Sequence, residues 1–210
     1  MIRKASCPSC GGPLEFKNAG SHWIVCEHCG TLAVRKDVDL EAVGKVAALH
    51  QDGSPVQLGT RGKFRGLGFE VVGRLQLQYP QGFWNEWYLA FGDGTDGWLG
   101  ETQGSYAVSR LAKRQVRVPA FAQLSPGASV GVDGLTLEVK DLQKARCISG
   151  EGELPFEVRG GYEAPVADLV GPGARFGTID YSEEPPLVFV GEYVEFDELK
   201  LTNLREIEGW

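Results

Sequence analysis

Apolar and polar residues alternate over long stretches of this chain. In FEVVGRLQLQY, Phe69 to Tyr79, one face of an extended strand carries Phe69, Val71, Leu75, Leu77 and Tyr79, and the other Glu70, Arg74, Gln76 and Gln78. A period of two marks a half-buried strand. FWNEWYLAF, Phe83 to Phe91, reads as the next strand, with Pro80 to Gly82 as the turn between them. Its core face holds Phe83, Trp87, Leu89 and Phe91; Trp84, Glu86 and Tyr88 point the other way. GWLGE and SYAVSR continue the meander, and upstream PLEF and HWIV read as two short strands. DVDLEAVGKVAALH, Asp37 to His50, departs from this rhythm. Leu40, Val43 and Ala47 fall at helical spacing, Asp37 or Asp39 can cap, and QDGSP ends the run, so a short connecting helix is expected.

The strand pattern also repeats. GTRGKFRGLGFEV (Gly59 to Val71) and GASVGVDGLTLEV (Gly127 to Val139) align at an offset of 68, with Gly59/Gly127, Gly66/Gly134, Leu67/Leu135, Glu70/Glu138 and Val71/Val139 identical. Two copies of one small β unit, fused and packed together, are expected. The predicted organisation is a ribbon over residues 1–36, a helical linker over 37–56 and a β domain over 57–210, with repeats at 57–118 and 119–210. The fold class is mainly β, with two similar barrel-like or sandwich-like units.

Composition fits this picture: 29 glycines and 11 prolines punctuate short apolar runs in a chain of 210 residues. No apolar run approaches the ~20 residues of a membrane helix. MIRKAS leads into a cysteine, so no signal peptide is expected. The charge is divided unevenly. Residues 1–36 hold Arg3, Lys4, Lys17, Arg35 and Lys36 against Glu15 and Glu27, a charge of +3, leaving −10 on the rest of a chain whose total is −7. The acidic body disfavours nucleic acid. The small basic head suits an acidic protein partner, or is simply solvated charge.

The sharpest chemical signal is Cys7-x-x-Cys10, then fifteen residues, then Cys26-x-x-Cys29. This spacing is that of a tetrahedral zinc ribbon with four thiolates on one ion. Gly11 and Gly30 each follow a second cysteine, where the backbone turns tightly. A thioredoxin-like dithiol would use one pair beside a βαβ unit, and disulfides would suit a secreted chain. Rubredoxin-like iron sites usually space their pairs more widely. His22 and His28 read as surface residues. Four thiolates close the site, so one structural zinc per chain is expected, in a reducing, cytoplasmic compartment.

Elsewhere the chemistry is thinner. GDGTDG, Gly92 to Gly97, fits a glycine-rich nucleotide loop by letter, but no helix follows and two aspartates would repel a pyrophosphate, so a hairpin loop is expected. Trp84, Glu86 and Tyr88 form an aromatic-acidic face that could cage a cation or pack as core. The repeat suggests Glu153 as a partner of Glu86, for acid–base work or cation binding, against the plainer reading of surface or turn-capping carboxylates. Neither has a nucleophile or histidine arranged beside it in sequence. Cys147 reads as a buried, inert thiol.

FEVVGRLQLQY, FWNEWYLAFGDGTDGWLGE and the later GELPF resemble the bacterial family called domain of unknown function 4178, over roughly Leu58 to Leu204. The resemblance implies an N-terminal zinc ribbon and an accessory role in envelope-stress or polyamine-linked systems. It assigns no catalytic residue. The leading expectation is a non-enzymatic adaptor that docks a protein partner through the ribbon and presents an aromatic-acidic surface of the β body to a second partner. The alternative is a binding module for a polyamine-like cation using Trp84, Glu86, Tyr88 and Glu153, and an enzyme ranks third.

Overall fold

The computed structural model describes residues 3–36, 39–80, 82–113, 117–158 and 162–206. The ribbon region contributes β1 (Arg3–Ser6), β2 (Pro13–Phe16), β3 (Trp23–Val25), β4 (Thr31–Lys36) and β5 (Asp39–Lys45). β1 and β2 form a two-stranded sheet, and β3, β4 and β5 run antiparallel. The expected connecting helix does not form. Asp39–Lys45 is a strand, with Leu40 opposite Arg35 and Ala42 opposite Ala33. A helix this short is marginal by itself, whereas the edge of β4 offers hydrogen-bond partners at once. The candidate cap Asp37 lies outside the described residues.

The body holds two similar five-stranded units. The first is β6 (Arg61–Phe64), β7 (Leu67–Tyr79), β8 (Gly82–Phe91), β9 (Asp96–Thr102) and β10 (Ser105–Leu111). The second is β11 (Ser129–Val132), β12 (Leu135–Leu154), β13 (Glu163–Val170), β14 (Arg175–Asp180) and β15 (Leu187–Val194). The opening hairpins superpose in register. Arg61 faces Glu70 as Ser129 faces Glu138, and Phe64 faces Leu67 as Val132 faces Leu135. Both turns have positive φ at two successive residues, Arg65–Gly66 and Asp133–Gly134, the geometry of a tight two-residue hairpin. Both long strands then bulge, between Val71 and Gly73 and between Val139 and Asp141. Downstream, Leu89 faces Gly97 as Leu169 faces Gly177, and Leu99 faces Val108 as Ile179 faces Val188.

The units share one sheet. β10 pairs with β15, and β7 pairs with the far half of β12, so eight strands close a ring in the order β7, β8, β9, β10, β15, β14, β13, β12. The 20-residue β12 pairs with four strands, β11, β13, β7 and β3, and its last pairing joins the ribbon to the ring. Gly73 and Gly152 allow the β7–β12 crossing, where a Cβ on Gly73 would fall 1.8 Å from the Glu153 carbonyl oxygen.

The bulge in β7 overturns the single apolar face expected from Phe69 to Tyr79. One extra residue transfers the alternation to the opposite side of the sheet. Phe69 and Val71 pack with Trp87, Leu89, Phe91 and Leu99 outside the ring, while Leu75, Leu77 and Tyr79 face into it. Arg74 and Gln76, expected at a polar surface, are buried beneath the segment before β6. Gln76 exchanges two hydrogen bonds with the His50 backbone, at 2.8 and 3.1 Å. The second unit has a matching outer core of Val132, Leu137, Val139, Leu169, Ile179 and Val188. Among the described residues no helix is long and apolar enough to cross a membrane.

Candidate functional site: a four-cysteine cluster and an acidic lumen

The cysteine pairs sit on two matching knuckles. Cys7 N donates to Gly12 O and Gly11 N to Cys7 O; Cys26 N donates to Thr31 O and Gly30 N to Cys26 O, all at 2.7–2.9 Å. Gly11 and Gly30 take positive φ of 76° and 68° at the turns. The four sulfurs lie within 4.8 Å of one another, with Cys7–Cys29 and Cys10–Cys26 both at 3.8 Å. Four metal–sulfur bonds of about 2.3 Å in a tetrahedron give edges of about 3.8 Å, so the donor set fits a metal ion. Hydrogen bonding with Thr31 pulls the Cys29 thiol down to about 6. His22 and His28 are exposed.

The ring surrounds a cavity of about 580 Å³ to which all eight strands contribute. Its apolar wall includes Leu75, Trp84, Trp98, Phe156, Phe176 and Phe189. Among the described residues its charged lining is Glu86, Asp141, Asp168 and Asp180 against a single cation, Lys140. Glu86, on β8, accepts one hydrogen bond, from Trp84 Nε1 at 2.9 Å. Burial raises its carboxyl to about 7 and the charge of Asp168 adds to the rise, against that hydrogen bond. Asp168, on β13, is also raised by burial and by Asp141, while Gln143 Nε2, at 3.0 Å, and Thr178 oppose the rise. The carboxylates are spread along the wall. Among the described residues, only the cysteines gather three or more potential metal ligands.

The four residues expected to share a ligand surface are divided. Trp84 and Glu86 line the lumen. Tyr88 is buried between lumen and ribbon, its hydroxyl donating to Asp96 Oδ2 at 2.9 Å and accepting from Asn18 Nδ2 at 3.1 Å, its ring against Trp98 at 4.9 Å. Glu153 points away to the ribbon and accepts the amides of Lys17 and Asn18. It is no counterpart of Glu86, because the matching registers place Val166 at the equivalent position, opposite Asp180 as Glu86 is opposite Gly100. Asp168 and Asp180, which the sequence reading missed, replace it in the lumen. Their only signal was position on alternating strands. GDGTDG is a hairpin turn closed by Phe91 N to Thr95 O and by Asp93 bonds to Thr95. Cys147 is buried, its thiol pushed up to about 11 by burial.

Two other features carry less chemistry. Outside the ring, Asp52, Arg74, Asn85 and Glu101 form a buried network: Glu101 accepts from Ser54 Oγ at 2.6 Å and Trp87 Nε1 at 2.9 Å, Asp52 binds Arg74 and Arg205, and Arg74 lies over the Trp87 ring. These groups satisfy one another and fasten the segment before β6. A groove of about 730 Å³ between ribbon and body, beside Lys45, His50 and Arg146, is built largely from exposed side chains.

Fold and site define an all-β protein in which a four-cysteine ribbon is joined to a closed ring of two similar units around an acidic, aromatic lumen. A family model described as Domain of unknown function (DUF4178) matches residues 57–196, and the chain belongs to that family. The match spans all ten strands of the body. Comparisons with curated proteins and with solved structures return no match.

Proposed function

We propose that the protein is a small-molecule-binding module whose lumen takes an organic cation of the polyamine type. The observation that carries this reading is the pairing of two carboxyls destabilised by burial, Glu86 and Asp168, with indole and phenyl walls in one cavity. An ammonium ion entering there relieves both carboxylates and lies against aromatic faces. The dispersed carboxylates suit an extended organic cation better than a compact metal ion. The ribbon is a structural zinc site in a reducing compartment, since four thiolates leave no open position for substrate. The role proposed for the lumen is binding. The test is a thermal shift with spermidine at pH 8: wild type is stabilised and Glu86→Gln is not. An unshifted wild type contradicts the reading.

A second role, docking of a protein partner through the ribbon, is favoured by one feature. β5 is an edge strand with an almost wholly exposed sequence, including Val43. Such an edge can accept an added strand. Affinity capture with and without Val43→Lys tests it, and retention of the same partner by the variant contradicts it.

A further inference from the structure

The groove between ribbon and body differs from the lumen in the sign of its charge. Lys45, at the end of β5, and Arg146, on β12, line it against one carboxylate among the described residues, Glu157. Acids near the two cations are committed elsewhere. Glu163, opposite Arg146 in the β12–β13 register, pairs with Lys144, and Glu41 of β5 pairs with Lys36. Among the described residues neither Lys45 nor Arg146 has an acidic partner. The rest of the lining is largely apolar: Leu32, Val43, Val46, Ala47, Ile148 and Val158. Val43 is 45% exposed, and Phe83, 39% exposed, stacks on the lining His50 at 5.9 Å. Two of the four exposed large apolar side chains among the described residues thus stand at one concave site, the mark of a binding groove. Its wall is fixed in advance. Val46 N donates to Gly30 O at 3.0 Å, Ser149 Oγ to the Ala47 carbonyl at 2.5 Å, and Gln76 holds the His50 backbone.

Two cations against one carboxylate leave a surplus of one positive charge beside apolar surface. That combination calls for a ligand with a hydrocarbon part and a single negative charge. A carboxylate supplies the charge and accepts from both a lysine ammonium and an arginine fork. A phosphate monoester carries close to two charges at pH 8 and overshoots the surplus. We propose that the groove binds an amphiphilic carboxylate, its head group held by Lys45 and Arg146 and its hydrocarbon chain covering Val43, Val46 and Ile148. The site is separate from the lumen and independent of the cation reading, and the acidic lumen repels the same ligand.

Octanoate is the probe, titrated at pH 8 into the isotope-labelled full chain and followed by NMR, with 1-octanol as an uncharged control of equal length. Octanoate is expected to give saturable shifts at the backbone amides of Val43 to Ala47 and of Ile148, while the indole signals of Trp84 and Trp98 in the lumen stay in place. 1-Octanol is expected to bind the groove about tenfold more weakly, the scale of hydrogen bonds to a charged group. Hexanoate is expected to bind about tenfold more weakly than octanoate, because two methylenes leave the apolar wall. Lys45→Glu and Arg146→Glu alter exposed side chains, and each is expected to weaken octanoate by about tenfold or more; unchanged amide signals of β8 and β9 check the fold. No saturable shift at the groove, equal binding of octanoate and 1-octanol, or unaltered octanoate affinity in both charge-reversal variants overturns the proposal.

Discussion

Glu153 accepts the backbone amide of Asn18 at 3.0 Å, tying the ribbon to the end of β12 across 135 residues of sequence. Its other carboxylate oxygen takes the Lys17 amide at 2.7 Å. A buried amide without a partner costs about 1–3 kcal/mol, so Glu153→Ala is expected to destabilise the chain by about 2–4 kcal/mol. Hydrogen exchange checks the mechanism: the Lys17 and Asn18 amides lose protection first. Unchanged protection at both contradicts it.

Ring closure depends on the β7–β12 crossing. Gly73→Ala drives a methyl group into the Glu153 carbonyl and is expected to cost about 3 kcal/mol or more in urea unfolding. Gly131→Ala is the control, since a Cβ there meets nothing within 4 Å and its effect stays below about 1 kcal/mol. Equal effects would show that the crossing is not tightly packed.

Glu86 links stability to pH. Its carboxyl titrates near 7 in the folded chain against an ordinary 4.5. Between those values the unfolded chain gives up a proton that the folded chain keeps, so stability falls as pH rises through the window and levels off above it. Glu86→Gln removes this loss. It should gain about 2–3 kcal/mol relative to wild type between pH 4 and pH 8, by urea unfolding at both. For the same reason, cation affinity of the wild type rises with pH through about 7. A flat difference between wild type and Glu86→Gln contradicts the assignment.

The four-cysteine cluster predicts about one metal ion per chain by elemental analysis, lost in Cys26→Ser. Chelation is expected to release the amides of β1 to β4 to exchange while those of β8 and β9 stay protected. A metal-free chain with a protected ribbon contradicts this account.

The cysteine spacing alone specifies its cluster, because two residues between cysteines and a following glycine dictate one knuckle geometry. Trp84 and Glu86 were equally legible, since strict alternation on β8 puts them opposite Trp87 and Leu89. Three things were not. The bulge at Val72 leaves no mark in the hydrophobic pattern, and it decides that Phe69 and Leu75 face opposite ways. Val43 and Ala47 fit a helical period, and only the presence of an open β4 edge makes Asp39–Lys45 a strand. Glu153 and Asp168 are both carboxylates on strands. Which one meets the lumen follows from the register of β12 with β3 and of β13 with β14, and that register is set by the closed ring.

The most direct test of the lumen as a cation site is an NMR titration of the isotope-labelled chain with spermidine at pH 8, read at the tryptophan indole N–H signals. The account predicts saturable shifts at Trp84 and Trp98, none at Trp23, and affinity reduced by about tenfold in Asp168→Asn. Shifts confined to surface amides, or none at the lumen tryptophans, would contradict it.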